Sequence, residues 1–293
     1  MALPCTAAAA NYYYDNAGRL LKVDYGTAGA VVYGYDASGD LISRQILPPA
    51  ASPKAPTISS VSNAEGGVAT IAPNTWVAIY GSNLAPAGDS RTWKAPGDFA
   101  NNQLPTQLDN VSVTVNGKSA FVYYISPTQV NILTPPDPMQ GTVLVQLTSS
   151  GIASAPFAVQ AQTSAPSLFV FNGGPYAVAV HANGSLIGPL NLYPGVFTPA
   201  TPGENIVLFA NGFGPVSAPL SSGALGQSGQ PLLPLSIRIG GVAVTVKFAG
   251  LISPGLFQFN VVVPSGALNG DNAVAVSYAG LNTQPGTLIS VAR

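Results

Sequence analysis

The sequence predicts an all-β protein: a short N-terminal β-hairpin segment followed by two tandem antiparallel β-sandwiches. Gly (32) and Pro (27) make up about a fifth of the 293 residues, which suits many short strands joined by tight turns. Alternating apolar and polar residues recur between turn signals at about 8–12-residue intervals, a spacing typical of sandwiches. No window keeps a 3.6-residue apolar period, so we expect little helix.

The low charge of the chain argues against two classes of partner, nucleic acids and anionic membranes. Charged residues make up 7% of the sequence and the formal net charge is −1, whereas typical globular domains carry about 25% charged residues. Such a chain has no field that would attract nucleic acid or an anionic membrane, so we expect neither partner. No apolar run approaches the ~20 residues of a membrane-spanning helix, and we expect no transmembrane segment.

The N-terminal stretch MALPCTAAAA contains the only cysteine, Cys5. One cysteine excludes an internal disulfide framework. The stretch lacks the basic region of a signal peptide, so the sequence does not indicate the export route. Two interpretations of Cys5 stay open, a lipid-attachment site, which Pro4 fits poorly, and an incidental thiol in a tethering segment, which we favour.

A hairpin pattern repeats within residues 12–46. The stretches YDNAGRL (14–20) and YDASGDL (35–41) lie 21 residues apart. The Asp side chain can accept backbone N–H groups of the turn, and the Gly can take a positive φ. We predict an assembly surface on the β-forming residues around these turns. These residues are Tyr12, Tyr14, Leu20, Val23, Tyr33 and Tyr35.

These two units resemble the YD repeats of RHS-type bacterial surface and toxin proteins. In those families, long arrays wind into a β-sheet shell. The second copy departs from the pattern at Asp40, where Arg is usual. Two copies cannot enclose a shell, so the resemblance implies a local structure and not the function of the shell.

A larger internal repeat follows the Pro-rich stretch LPPAASPKAP (47–56), which predicts an extended linker. The stretch APNTWVAIYGSNLAP (72–86) matches TPGENIVLFANGFGP (201–215). The stretches at 111–135 and 235–264 match in the same way, each with a Gly turn, a Ser-Pro and a Gln-x-Asn. The repeat predicts two sandwiches of ordinary domain size. The predicted parts are the hairpin segment 1–46, the linker 47–56, the first sandwich 57–164 and the second sandwich 165–293.

Several stretches in order carry a second resemblance: VAIYGSNLAP, VSVTVNG, SPTQVNILTP, PGENIVLFANGFGPV and PGLFQFNVVVP. They resemble a tandem IPT/TIG-like, immunoglobulin-fold C-terminal domain of large secreted proteins from environmental bacteria. The resemblance runs from about residue 56 to residue 293, with a departure at 181–195. It implies Ig-like architecture and an extracellular or bacterial cell-surface location. It implies no enzymatic activity.

No constellation in the sequence predicts catalysis, so we expect a non-enzymatic protein without catalytic residues, metal or cofactor. The only histidine, His181, precedes an Asn-Gly turn and is predicted to be a structural strand-end residue. The 11 acidic residues show no sign of the convergent pair that glycosidases need. The stretch ANGFG (210–214) precedes Pro and not a helix, which indicates a turn and not a phosphate loop. A calcium ion held by loop carbonyls is the minor alternative.

Aromatic residues offer a possible ligand contact. Trp76 lies in a strand pattern and is predicted to be a core residue. Trp93 lies in the long loop 85–105, and long loops tend to be functional. It either pins its own loop or forms a ligand platform. Under the second interpretation, Trp93 and Tyr123 contact a polysaccharide.

Three functions are compatible with this organisation. Because free strand edges are seldom left unprotected, the segment 1–46 would fold back on the first sandwich, end a longer array, or pair with a neighbouring subunit. The third outcome leads to our main hypothesis, an extracellular fibre subunit assembled by strand donation. The alternatives are an adhesion or stalk module, and a carbohydrate-binding accessory domain of a larger secreted protein.

Overall fold

The computed structural model describes residues 10–48 and 54–293. The chain divides into two compact units, Met1–Lys54 and Ala55–Arg293. The predicted all-β class with antiparallel sandwiches is confirmed, since the described residues form strands and two short 3-10 turns, Gly26–Ala28 and Phe171–Gly173. Cys5 and residues 49–53 of the predicted linker lie outside the described residues.

The N-terminal unit is a four-stranded antiparallel meander and not a single hairpin. Its strands are β1 (Asn11–Tyr14), β2 (Leu20–Asp24), β3 (Ala30–Tyr35) and β4 (Leu41–Leu47), in the order β1-β2-β3-β4. The tight connection 25–29 joins two hairpins, with the Tyr25 N–H donating to the Gly29 carbonyl at 2.9 Å. Leu47, predicted as the first linker residue, is the last residue of β4.

The two YD turns share one hydrogen-bonding scheme. Asp15 Oδ1 accepts two backbone N–H groups of its turn, both at 2.9 Å. Asp36 Oδ1 does the same in the second turn, again at 2.9 Å. Arg19 adds an ion pair to Asp15, with Nε 2.7 Å from Oδ2, and its guanidinium carbon lies 5.0 Å from the centre of the Tyr35 ring. Asp40 cannot supply these contacts in the second copy.

The first sandwich of the second unit pairs two sheets. One has the order β5-β7-β13-β12-β8, and the other has the order β11-β10-β14-β16-β6, with β15 on β14 and β9 on β10. The strands are β5 (Thr57–Asn63), β6 (Thr70–Ile71), β7 (Trp76–Ser82), β8 (Arg91–Thr92), β9 (Gln107–Leu108), β10 (Val111–Val115), β11 (Lys118–Ser119), β12 (Phe121–Ile125), β13 (Gln129–Leu133), β14 (Gly141–Ser149), β15 (Ile152–Ala153) and β16 (Phe157–Ala161).

The second sandwich is built in the same way. One sheet has the order β20-β19-β18-β21-β25-β24, with β17 on β21, and the other has the order β23-β22-β26-β27, with β28 on β26. The strands are β17 (Ser167–Leu168), β18 (Ala179–His181), β19 (Leu186–Ile187), β20 (Phe197–Thr198), β21 (Asn205–Asn211), β22 (Leu235–Ile239), β23 (Val242–Ala243), β24 (Val246–Ser253), β25 (Leu256–Val262), β26 (Gly270–Tyr278), β27 (Leu281–Asn282) and β28 (Leu288–Val291).

Each sandwich has its own apolar core, formed by the inward residues of alternating strands. In β10, VSVTV, the three valines are buried and the polar residues between them are half-buried. In the second sandwich, Phe213, Phe257 and Phe259 are fully buried, and the Phe213 ring lies 5.2 and 5.0 Å from the other two rings. The period-2 pattern of the sequence therefore decides which face of each strand is buried.

The internal repeat is visible in equivalent turns. Strands β7 and β21 have seven residues each and are followed by left-handed residues, Asn83 with φ 54° and Gly212 with φ 82°. The next residue in each copy, Leu84 or Phe213, is fully buried. A left-handed residue turns the chain sharply, so each copy inserts an apolar side chain into its own core directly after the strand.

Candidate ligand site between the two sandwiches

An aromatic cluster forms where the long loop 85–105 meets the first sandwich. The Trp93 ring centre lies 4.8 Å from that of Tyr123 and 5.8 Å from that of Trp76, both edge to face. Phe99, from the same loop as Trp93, adds a fourth ring 5.3 Å from it. Trp93 is half-buried and packs on a small apolar cluster, whereas Tyr123 stays 36% exposed. Trp93 thus fixes its loop, and Tyr123 offers the more accessible ring.

Trp76 differs from the expected core residue. It is half-buried, and its indole Nε1–H donates to the Pro254 carbonyl of the second sandwich at 3.1 Å. A buried indole N–H needs an acceptor, and β7 places this one at the edge of the core, where the second sandwich supplies it. Trp76 is therefore a contact between the sandwiches.

Arg91 holds the long loop in place through two carboxylates. Its Nε lies 2.5 Å from Asp109 Oδ2, and its Nη1 lies 2.7 Å from Asp98 Oδ2. Asp98 also accepts the backbone N–H of Lys94 at 2.6 Å. Hydrogen bonds from the Arg91 side chain are the main reason that the pKa values of Asp98 and Asp109 lie below 3.8, the ordinary value. The backbone N–H of Trp93 donates to the Tyr123 carbonyl at 2.9 Å, which completes the attachment.

Two buried asparagines connect the sandwiches. Asn63, at the end of β5, donates from Nδ2 to the Ala165 carbonyl at 2.7 Å, and its Oδ1 accepts from Asn211 Nδ2 at 2.9 Å. Asn211, at the end of β21, also accepts the Trp76 backbone N–H at 2.9 Å and donates to the Trp76 carbonyl at 3.0 Å. Both side chains are at most 1% exposed. This network fixes the position of the β7 strand, which carries Trp76, relative to the second sandwich.

A cavity of about 350 Å³ lies beside this junction. The first sandwich contributes the rings of Trp76 and Tyr123 and the amide of Asn131 to its lining. The second sandwich contributes Phe169 and Pro254. Its other lining residues are Ala64, Glu65, Ser253 and Leu256. Several aromatic surfaces with a few polar groups are typical of a small-molecule or saccharide site.

Glu65 brings a carboxyl group to the cavity from the turn after β5. Its Oε2 accepts the Val170 backbone N–H at 3.2 Å. Burial raises the pKa of Glu65 to about 7, and the Val170 hydrogen bond opposes that rise only in part. Within residues 10–48 and 54–293, no Lys, Arg or His forms an ion pair with Glu65. A second cavity of about 680 Å³ shares Ala64 and Glu65 and includes Tyr80.

The sequence analysis proposed Tyr123 as a ligand contact but did not propose Glu65 or Phe169, which line the same cavity. Glu65 stands in the turn stretch NAEGG, where an acidic residue is normally solvent-exposed. In the folded chain it is half-buried, and Val170 of the second sandwich donates its backbone N–H to the carboxyl. Such a contact between residues more than 100 positions apart leaves no local pattern in the sequence.

The predicted assembly residues of the N-terminal unit lie on three strands and differ in exposure. Val23 of β2 pairs with Tyr12 of β1 and is buried, 4% exposed, whereas Tyr14 is 58% exposed. The pairing of β1 with β2 shifts register between Tyr13 and Tyr14, where Leu20 is the partner of Tyr14. The assembly surface made of the six residues stays a prediction.

His181 lies at the end of β18, as predicted. Its Nδ1 is 2.5 Å from Glu204 Oε1, and its Nε2 is 2.8 Å from the Thr198 hydroxyl. Glu204 also accepts the Thr201 backbone N–H at 2.8 Å. These bonds join β18, β20 and the turn before β21. The described part of the chain contains no group of three His, Cys, Asp or Glu residues arranged to hold a metal ion, and it contains no helix suited to spanning a membrane.

A comparison with known families matches part of the chain. The family model of the IPT/TIG domain matches residues 56–171. This TIG match contains strands β5 to β16 and most of the lining of the 350 Å³ cavity contributed by the first sandwich. The TIG resemblance is thereby confirmed for this part of the chain. The resemblance of residues 12–46 to YD repeats stays a prediction.

Solved structures with partial similarity to the chain include an extracellular region of plexin A4, with 12% identity, a TM-score of 0.27 and coverage of 89% of this chain and 22% of that one. Another is SGBP-B of the Bacteroides ovatus mixed-linkage glucan utilization locus in complex with a mixed-linkage heptasaccharide. Its identity is 11% and its TM-score 0.33, and the match covers 92% of this chain and 53% of that one. A third is the adhesin InvE of Yersinia pseudotuberculosis, with 8% identity and a TM-score of 0.22. The match covers 81% of this chain and 58% of that one. This chain thus spans less than two thirds of the length of each of these structures. No curated protein sequence matches it. These TM-scores are too low for the likenesses to bear on function.

Proposed function

We propose that this chain is a non-enzymatic binding module at the surface of a bacterium or outside the cell, and that it binds a polysaccharide at the junction of its two sandwiches. The observation that carries the proposal is the grouping of Trp76, Tyr123 and Phe169 with Glu65 and Asn131 around one cavity. Aromatic rings offer flat apolar surfaces to the C–H faces of sugar rings. The carboxyl and amide groups offer hydrogen bonds to sugar hydroxyls.

The adjoining cavity supports a ligand of several sugar units. It has about twice the volume and shares Ala64 and Glu65 with the first cavity, and Tyr80, 42% exposed, lies along it. An extended chain of sugars would contact both cavities, whereas a small metabolite would fill one.

Tyr123→Ala tests the polysaccharide proposal. The substitution removes an accessible ring of the cavity but leaves the junction asparagines in place. We expect weaker retention on polysaccharide gels in affinity electrophoresis, by about threefold to tenfold, the range of a lost aromatic contact. Trp93→Ala should act in the same direction, since Trp93 supports Tyr123. Tyr193→Ala, which removes a 43% exposed ring outside both cavities, is the matched control. Retention that is equal in all variants and the wild type counts against the site.

We also propose a second function, assembly into filaments by strand addition, on the basis of the N-terminal sheet. Strands β1 and β4 are its edges among the described residues, and every residue of β4 is exposed. Ile42 and Ile46 are each 67% exposed, and Arg44 is the only charged residue of the strand. Natural edges usually carry charges or proline that prevent pairing, so this edge fits an added strand from a second copy. Head-to-tail addition does not close and builds a fibre.

Negative-stain electron microscopy of the full chain, and of a chain without residues 1–46, tests the filament. Filaments should form only from the full chain. Ile42→Lys should prevent them by placing a charge on the β4 edge, and Tyr12→Lys should do the same at β1. Monodisperse particles in every sample would contradict assembly and leave an adhesion or stalk module.

A further inference from the structure

We infer that the junction cavity selects a cationic saccharide, an oligosaccharide carrying amino or ammonium groups, and that Glu65 is the residue that selects it. The inference rests on the proposed polysaccharide binding and adds the charge of the ligand. It starts from the combination of one carboxyl group and three aromatic side chains, Trp76, Tyr123 and Phe169, around the same space. Both kinds of group attract cations, the carboxylate by its charge and the rings by the negative potential of their faces.

The charge balance at Glu65 favours a cation from outside the protein. The carboxyl is largely buried, it accepts one backbone N–H from Val170, and no cationic side chain of the described residues pairs with it. Among the lining residues of the two cavities, the other titratable groups are the phenols of Tyr123 and Tyr80. A partly buried carboxylate without a partner is destabilised by desolvation. An ammonium group in the cavity would supply the missing positive charge.

A neutral sugar would not supply a positive charge opposite the Glu65 carboxylate. Its hydroxyl groups can donate to the carbonyl oxygen of the protonated Glu65 carboxyl and can accept from its O–H group. A cation gains more from the ionised form than a hydroxyl group does, because the two opposite charges attract each other directly. Binding of a cation should therefore shift Glu65 towards ionisation and release a proton where the free carboxyl is still protonated.

Selection by charge would be local to this cavity. The chain has 10 Lys and Arg residues against 11 Asp and Glu residues, so its overall field does not concentrate cations. The Glu65 carboxylate lies within a partly enclosed space, where salt screens charges less than at an open surface. A preference for cationic ligands should accordingly persist at moderate ionic strength.

The test compares two oligosaccharides that share one sugar backbone and differ in the substituent on nitrogen: an N,N,N-trimethylated chitosan oligosaccharide, which is cationic at every pH, and its N-acetylated neutral counterpart. Affinities are measured by titration calorimetry with the full chain at pH 6 and pH 8. We expect the cationic ligand to bind at least about tenfold more tightly at pH 8, the scale of a partly desolvated contact of a cation with a carboxylate and aromatic rings. The advantage should shrink at pH 6, because Glu65 becomes protonated while the charge of the ligand stays constant.

Glu65→Gln should reduce the advantage at pH 8 to the smaller one that the aromatic rings provide, and Asp271→Asn should leave the advantage unchanged. The glutamine keeps an acceptor for the Val170 N–H, so the fold of the junction is retained. Asp271 lies on β26 outside both cavities, where its Oδ2 accepts the Tyr176 hydroxyl at 3.0 Å. The asparagine can accept the same bond, and at pH 8 the formal net charge changes in the same direction in the two variants. Repeating the pH 6 titration in buffers of different ionisation enthalpy should show proton release by the wild type and none by Glu65→Gln.

The outcomes separate this inference from the function on which it rests. If the neutral ligand binds as tightly as the cationic one and Glu65→Gln has no effect, polysaccharide binding stands and the charge selection is wrong. If neither ligand binds, and no other polysaccharide is retained, the proposed function fails together with the inference. A cationic preference at pH 8 that Glu65→Gln leaves undiminished would also overturn the role of Glu65.

Discussion

Single residues decide how the two sandwiches are joined. Asn63 and Asn211 are buried amides whose hydrogen bonds connect β5, β7 and β21. Buried polar groups are costly when they lose a partner, because the group that remains cannot return to water. Each asparagine therefore stabilises the junction more than an exposed asparagine with the same number of bonds would.

Asn211→Ala should lower the free energy of unfolding by about 1–3 kcal/mol, since it leaves the Trp76 backbone N–H without its acceptor. Urea unfolding followed by tryptophan fluorescence measures the change. Asn282→Ala, which removes an exposed side chain that accepts from Ser277, is the control and should change the free energy by less than about 0.5 kcal/mol. Equal effects of the two substitutions would contradict the role of the buried network.

Glu65 makes the stability of the protein depend on pH. Its pKa is about 7 in the folded protein against an ordinary value of 4.5. Because the folded state binds the proton more tightly, the free energy of unfolding should fall as pH rises from about 4.5 to about 7 and should then level off. Glu65→Gln should remove this fall and be more stable than the wild type at pH 8, by at most about 3 kcal/mol. Urea midpoints at pH 5 and pH 8 measure the difference. A wild-type midpoint that does not change would show that Glu65 is solvated.

At the scale of elements, the positions of most strands can be predicted from the sequence. The alternation in β10 and β14, and the repeated turns after β7 and β21, predicted their positions because burial of one face imposes a period of two. The middle turn of the N-terminal sheet was not predicted as a connection between two hairpins. The junction cavity was missed as well, since Glu65 and Phe169 meet through packing between the sandwiches and not through any repeating pattern.

The long loop 85–105 is the element whose order depends most on charge. Arg91→Ala should release Asp98 and Asp109, because it removes four hydrogen bonds between side chains. Trp93 should become more exposed, and the tryptophan emission should shift to longer wavelength. Limited proteolysis should cut the variant within 85–105 before the wild type. Arg91→Lys, which keeps the charge but loses the forked geometry, should lie between the two.

The same loop should respond to acid. The pKa values of Asp98 and Asp109 are lowered below 3.8 in the folded state, so their contribution to stability is present above about pH 4 and is lost as pH falls further. The emission shift of the wild type on acidification should therefore begin below about pH 4. Arg91→Ala should show little further shift there. A shift of equal size in both proteins would indicate another titrating group.

At the scale of the whole molecule, residues 55–293 form one compact unit although they contain two cores. Gly255 shows how closely the sandwiches approach. Its φ is +68°, and a Cβ added there would lie 2.6 Å from Leu133 Cδ1 and 2.8 Å from Trp76 Nε1. The sandwiches should therefore unfold together.

Differential scanning calorimetry of the full chain should show a single transition for the two sandwiches. Gly255→Ala should separate it into two transitions by forcing the sandwiches apart. Gly266→Ala is the control, because a Cβ at that position meets no atom within 4 Å. Two transitions in the wild type would mean that each sandwich is independently stable.

The meander β1–β4 has a consequence for how such a protein changes over generations. Each 21-residue unit is a closed hairpin with its own turn, and the edges of the sheet are open among the described residues. Duplication of the corresponding stretch of DNA would add two strands at an edge without altering any existing pair. The number of units can therefore vary by unequal recombination without changing the pairing of the strands already present in the sheet. Length variation among descendants should concentrate in the N-terminal sheet.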